Sequence, residues 1–152
     1  MKVGFTGSRH GMTEQQQEEF AKMIRTLLEN MTEFHHGDCV GADQEAHNTV
    51  VFNSSLFDRP PVMMCLHPGP DDSPYRAWCT GGLIKQAMPK PYLDRNRDIV
   101  ESVDFMIATP NSMEERKRGG TWYTIRYSKE RKVDLCIIFP DGTLEGEVGI
   151  GY

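Results

Sequence analysis

The chain lacks most of the signals that assign a protein to a class at sight, and each absence excludes something. Its four cysteines (Cys39, Cys65, Cys79 and Cys136) form no CxxC pair, and three lie in or beside apolar runs. They read as reduced thiols packed as small hydrophobes, which excludes a disulfide framework and a zinc ribbon. No apolar run approaches the roughly 18 residues of a membrane span and no charged-then-apolar leader opens the chain, so no membrane partner and no secretion are expected, and the location reads as cytoplasmic. Basic residues are in deficit: 17 Lys and Arg stand against 22 Asp and Glu, a formal net charge of −5. That balance carries no electrostatic footprint for DNA, RNA or an anionic surface, so a nucleic-acid partner is not expected. Internal repeats, linkers and low-complexity tracts are also missing. At 152 residues the chain fits one domain, spanning 1–152.

What is present is organised around Glu33 to His47 (EFHHGDCVGADQEAH). A short apolar-edged segment meets Gly37, Asp38 and Gly41, and helical sequence starts near Asp43. This is a strand, a glycine turn and a helix start, where unpaired backbone N–H groups and the helix dipole favour an anion. Two further turns repeat the theme. Lys2 to Thr6 runs into Gly7-Ser8-Arg9, with Thr13 placed to cap a helix whose apolar residues Phe20, Met23, Ile24, Leu27 and Leu28 recur at helical spacing. Gly119-Gly120-Thr121 precedes a helical run from Trp122 to Lys132.

The remaining pattern alternates strand and helix. Strands are expected at 32–36, 62–66, 104–109 and 133–139, and helices at 43–52 and 94–102. The proline-rich stretch 67–91 shows no sustained period and reads as a long functional or mobile loop. Pro140-Asp141-Gly142 turns the chain into a weak final segment, read as an edge hairpin. About five strands alternating with about four helices is the pattern of a doubly wound α/β fold with a mainly parallel sheet flanked by helices, in which ligands sit beyond the carboxyl ends of the strands. All three glycine turns follow strands and can share one crevice.

The candidate site residues follow. Gly7, Ser8 and Arg9, with Gly119, Gly120 and Thr121, suit phosphate through backbone N–H groups, hydroxyls and a fork-shaped cation, and Arg118 adds charge beside the third turn. Gly37 and Gly41 permit close backbone approach, and Asp38 or Asp43 can bond a ribose hydroxyl, although Asp43 also suits a first-turn helix charge. Arg95 and Asn96 lie on the helix before a strand. Trp122 and Tyr123 read as core or as a face on which a base could stack, with core favoured for Trp122. His35, His36, Asp38, Asp43 and His47 match no zinc spacing, so no metal and no cofactor are expected.

GFTGSRHGMT, FHHGDCVGADQEAH, LHP, KPYLDRNRDIVESVDFMIATP and RGGTWYTIRYSKE together resemble the SLOG superfamily, Rossmann-like proteins that include the Smf/DprA recombination mediators and the LONELY GUY phosphoribohydrolases. The resemblance is strongest to small stand-alone bacterial and phage members and spans about 2–142. It implies a nucleotide or nucleotide-derived ligand, with Arg95 at the position of the LONELY GUY active-site arginine, His67 (in LHP) at the site, and pairing into a homo-oligomer. The glutamate of the LONELY GUY glycine loop has no counterpart here, because 111–118 intervenes and Thr124, Ile125 and Arg126 stand near its place. If the bond to the base is cleaved, Glu114 or Glu115 on the inserted segment would have to supply the carboxylate. The resemblance therefore implies a sensor or sequestering protein first, a nucleotide N-glycosidase second and DprA-type single-stranded DNA binding third.

Overall fold

The computed structural model describes residues 1–146; the end of the expected domain range and of the weak final segment lies outside these. Among the described residues, seven strands form one sheet in the order β4-β3-β2-β1-β5-β6-β7, with β1 (Lys2–Gly7), β2 (Glu33–His36), β3 (Met63–Leu66), β4 (Leu83–Gln86), β5 (Phe105–Thr109), β6 (Asp134–Ile138) and β7 (Leu144–Gly146). All neighbouring pairs are parallel except β6 with β7, which closes the edge hairpin expected after Pro140. The helices among the described residues are α1 (Glu14–Leu27), α2 (Ala42–Ser55), α3 (Tyr92–Ser102) and α4 (Gly120–Glu130). The order reverses at β1, so the switch point of this Rossmann-like α/β sheet lies between β1 and β5.

Alternation along β1 divides the core. Val3 and Phe5 face α1 and α2, where Phe5 packs edge-on against Phe20 at 5.3 Å between centroids and Phe34 lies 6.2 Å from both. Gly4 faces the other way, under α3, where a side chain would strike Met106, Val103 and Ile99. A second core on that face joins Ala108 and Ile137 to Trp122 and Ile125 of α4, so Trp122 is core as expected. Helix α1 starts in the capping box that Thr13 foreshadows: Gln16 N–H donates to Thr13 Oγ1 at 3.1 Å and Thr13 N–H to Gln16 Oε1 at 2.9 Å. The buried Gln16 amide then donates to the carbonyls of Pro110 and Ile138, tying the helix to the carboxyl ends of β5 and β6.

The stretch 67–91 departs from its expected form. It contains β4, paired parallel with β3 in the register Met63↔Leu83 to Leu66↔Gln86. All four β4 residues are exposed, and an edge strand with no buried face has no alternation to reveal it. The preceding loop is anchored as well: Val40 N–H donates to the Tyr75 carbonyl, Ala77 N–H to the Asp38 carbonyl and Cys79 N–H to Asp38 Oδ1.

Candidate functional site

Three turns meet at the switch point, following β1, β2 and β5, and they border a cleft of about 610 Å³. That volume suits a small-molecule ligand. Gly7, Ser8 and Arg9 from the first turn line it, with Gly37 and Asp43 from the second, Arg118, Gly119, Gly120 and Thr121 from the third, and Arg95 and Asn96 from α3. The fold thus brings together eleven of the residues singled out in the sequence. Tyr75, Tyr92, Cys39, Asn111 and Arg116 join them: Cys39 and Tyr92 lie inside the quoted motifs, whereas Tyr75 and Arg116 sit on irregular segments that only tertiary folding delivers to the cleft.

Five others lie elsewhere, and their expected roles lack geometric support. Asp38, at φ 51°, is fully buried, and its carboxylate pairs with Arg76 rather than facing the cleft. Gly41 is a backbone device: its φ is 87°, and a side chain there would meet the backbone of Arg9. The His67 imidazole turns to His35, leaving only its carbonyl to receive Arg95. Glu114 and Glu115 are exposed outside the cleft, with Glu115 paired to Arg126.

The second turn also differs from an open anion cradle. Its donors are already occupied: Gly37 and Cys39 N–H groups donate to Asp43 Oδ2 at 3.1 and 3.2 Å. Asp43 is the anion of its own turn. Its Oδ1 accepts no hydrogen bond from the described residues, and Asp43 is the one carboxylate among the cleft-lining residues. Burial pushes its carboxyl up to about 6, with Arg95 opposing the shift.

Arg95 is 7% exposed and mostly committed. Its Nη1 donates to the Gly37 carbonyl at 2.6 Å and the His67 carbonyl at 3.0 Å, and its Nε to Asn96 Oδ1 at 2.6 Å. The guanidinium therefore braces three segments and contributes field more than free donors. The cations free to meet a ligand are Arg9, Arg116 and Arg118, none of which has a carboxylate partner among the described residues. Arg9 lies 4.0 Å over the Tyr75 ring, which holds its guanidinium at the rim. At the start of α4 no side chain caps the first turn, so its N–H groups are available beside Arg118.

The fold and the cleft define a Rossmann-like α/β protein with a strand-end crevice at its switch point. No family model matches the sequence, and no curated protein does. Among solved structures, the chain is similar to the molybdenum cofactor binding protein from the phototrophic bacterium Rippkaea orientalis, at 13% identity and a TM-score of 0.62 over 91% of this chain and 76% of that one. It is also similar to TM1055, a structural-genomics target, at 11% identity and a TM-score of 0.60 over 88% and 71% of the two chains. At these identities the likeness is one of fold. Among the described residues, no helix is long and apolar enough to cross a membrane.

Proposed function

We propose that this protein binds a nucleotide or nucleotide-derived anion, such as a nucleoside monophosphate or an ADP-ribose-like molecule, in the switch-point cleft, and acts as a sensor or sequestering protein of the SLOG type. One observation carries the reading: among the described residues, four arginines and a single carboxylate line this cleft in a chain of net charge −5. Positive charge focused in a concave site of an acidic protein favours an anionic ligand over a non-specific polyanion. Phosphate falls to the uncapped α4 start with Arg118 and Arg116, and to Ser8 and Arg9. Asp43 Oδ1 is the acceptor for a ribose hydroxyl, and Tyr75 and Tyr92 offer aromatic walls to a base. The sequence motifs shared with SLOG proteins support the same ligand class, and a neighbour of the same fold is a cofactor-binding protein.

The test is a melting-temperature screen against mononucleotides, ADP-ribose and cyclic ADP-ribose isomers. A ligand at a hundred times its Kd adds about 2.7 kcal/mol to the native state. Arg9→Ala and Arg118→Ala should each weaken the response, whereas Glu115→Gln should not. No shift at millimolar ligand overturns the reading.

The position of Asp43 favours a second reading, cleavage of the glycosidic bond. It is the carboxylate the cleft offers, in place of Glu114 or Glu115. Release of free base, followed by chromatography and lost in Asp43→Asn, would establish it.

A further inference from the structure

Two histidine pairs flank β2, and they differ in what fixes their protons. In the buried pair, Asp38 N–H donates to His36 Nδ1 at 3.0 Å and His36 Nε2 meets His47 Nδ1 at 2.8 Å. His47 Nε2 then lies 3.1 Å from the carbonyls of Thr80 and Gly81. A backbone N–H can only donate and a carbonyl can only accept, so both rings are neutral with the proton on Nε2. Burial holds His36 well below the usual imidazole range, in agreement. These two residues and Cys79 bring ligand atoms close together, yet no ring lone pair remains for an ion.

The second group lies on the other face of the sheet, because Glu33 and His35 alternate with Phe34 and His36. Helices α3 and α4 pack on β1, β5 and β6, while β4 beside this group is exposed. Glu33 Oε1 accepts from His35 Nε2 at 2.7 Å and lies 3.7 Å from Cys65 Sγ, and the ligand atoms of all three residues lie within 4.8 Å of one another. Behind the ring, His35 Nδ1 is 2.8 Å from His67 Nε2.

We propose that Glu33, His35 and Cys65 form a binding site for a divalent metal ion of the Zn²⁺ type, with His67 holding the ligand imidazole from behind. A tetrahedral centre with bonds of about 2.0–2.3 Å separates its donor atoms by about 3.4–3.6 Å. The Glu33–Cys65 spacing of 3.7 Å is within about 0.1 Å of this. The Glu33–His35 pair must open by about 0.7 Å to reach it, and the Glu33 side chain is 30% exposed and can rotate. Carboxylate, imidazole and thiolate together suit Zn²⁺ or Co²⁺ and not Mg²⁺ or Ca²⁺. The His35–His67 contact is the outer bond that ligating histidines make with their second nitrogen. When the ion takes His35 Nε2, the His35 proton moves to Nδ1 and donates to His67 Nε2, whose own proton moves to Nδ1. Cys65 releases its proton to solvent, so one proton leaves per ion bound. Burial and Glu33 push the Cys65 thiol up to about 11, and the ion supplies the countercharge that a lone thiolate lacks there. Three protein donors leave a fourth position for water. None of the three ligands lines the nucleotide cleft, so this site stands or falls independently of it.

The test is a Co²⁺ titration of chelator-treated full-length protein at neutral pH. One equivalent should produce a thiolate-to-cobalt charge-transfer band, which Zn²⁺ bleaches. Cys65→Ser should abolish that band, Glu33→Gln should weaken binding by about tenfold or more, and Cys79→Ser should leave the titration unchanged. Glu33 is partly exposed, so Glu33→Gln decides the matter if Cys65→Ser does not fold. Absence of the band, its persistence in Cys65→Ser, full-strength binding in Glu33→Gln, or loss of the band in Cys79→Ser overturns the proposal.

Discussion

Asp43→Asn should make the protein more stable at neutral pH, and the size of the effect follows from the site. The Asp43 carboxyl titrates near 6 in the fold against 3.8 in the unfolded chain, because burial disfavours its charge. The folded state therefore binds the proton more tightly. The stability it contributes is full below about pH 4 and is lost as pH rises through about 6. About two pKa units at 1.36 kcal/mol each amount to roughly 3 kcal/mol surrendered at pH 7. Asparagine keeps a carbonyl oxygen for the Gly37 and Cys39 N–H groups and carries no charge, so it should recover most of that. For a chain of this length the gain is about 6–12 °C in melting temperature. Asp43→Ala removes the acceptor from two N–H groups as well and should fall below Asp43→Asn by about 1–3 kcal/mol or more. The assay is urea unfolding from pH 4 to pH 8, read as the difference between parent and variant. A difference that does not grow between pH 4 and pH 6, or an Asn variant no more stable than the parent at pH 7, would refute the claim that a charge is buried here at a cost. Ligand binding should move the other way, since the amide loses the acceptor offered to a hydroxyl.

Two further substitutions probe the frame of the cleft. Arg76→Ala leaves the fully buried Asp38 carboxylate without its cation and should cost about 3–5 kcal/mol by chemical denaturation; a loss under about 1 kcal/mol would mean that the ion pair does not hold the 75–81 loop. Gly37→Ala places a methyl group against the Arg95 guanidinium and 3.0 Å from Asp43 Oδ2. It should cost about 1–3 kcal/mol by the same assay and weaken nucleotide-induced stabilisation, because the two charged groups must move apart.

The legibility of this chain divides along physical lines. The glycine turns after β1, β2 and β5, the Thr13 cap and the buried strands 105–109 and 134–138 were readable, because each is written in a few consecutive residues. Strand β4 was not, since an exposed edge strand imposes no pattern. The choice between Asp38 and Asp43 turned on one left-handed residue, which sends the Asp38 carboxylate to Arg76 and leaves Asp43 at the cleft. Glu114 and Glu115 are the carboxylates nearest in sequence to the glycine loop, which lacks one of its own. The fold offers Asp43 from a different turn, about 70 residues away in the chain, a distance that local pattern does not span.

The sequence by itself determined the α/β alternation, the strand-end glycine turns and the acidic balance against which a basic cleft stands out. Only the tertiary structure decided which arginines are free, that Arg95 is spent bracing three segments, and that the Gly37–Asp43 turn is closed by its own carboxylate. It also decided which histidine pair can shift its protons to free a lone pair for an ion. The reason is common to all of these: hydrogen-bond donors and lone pairs are finite, and where each is used depends on residues that meet only once the sheet is built.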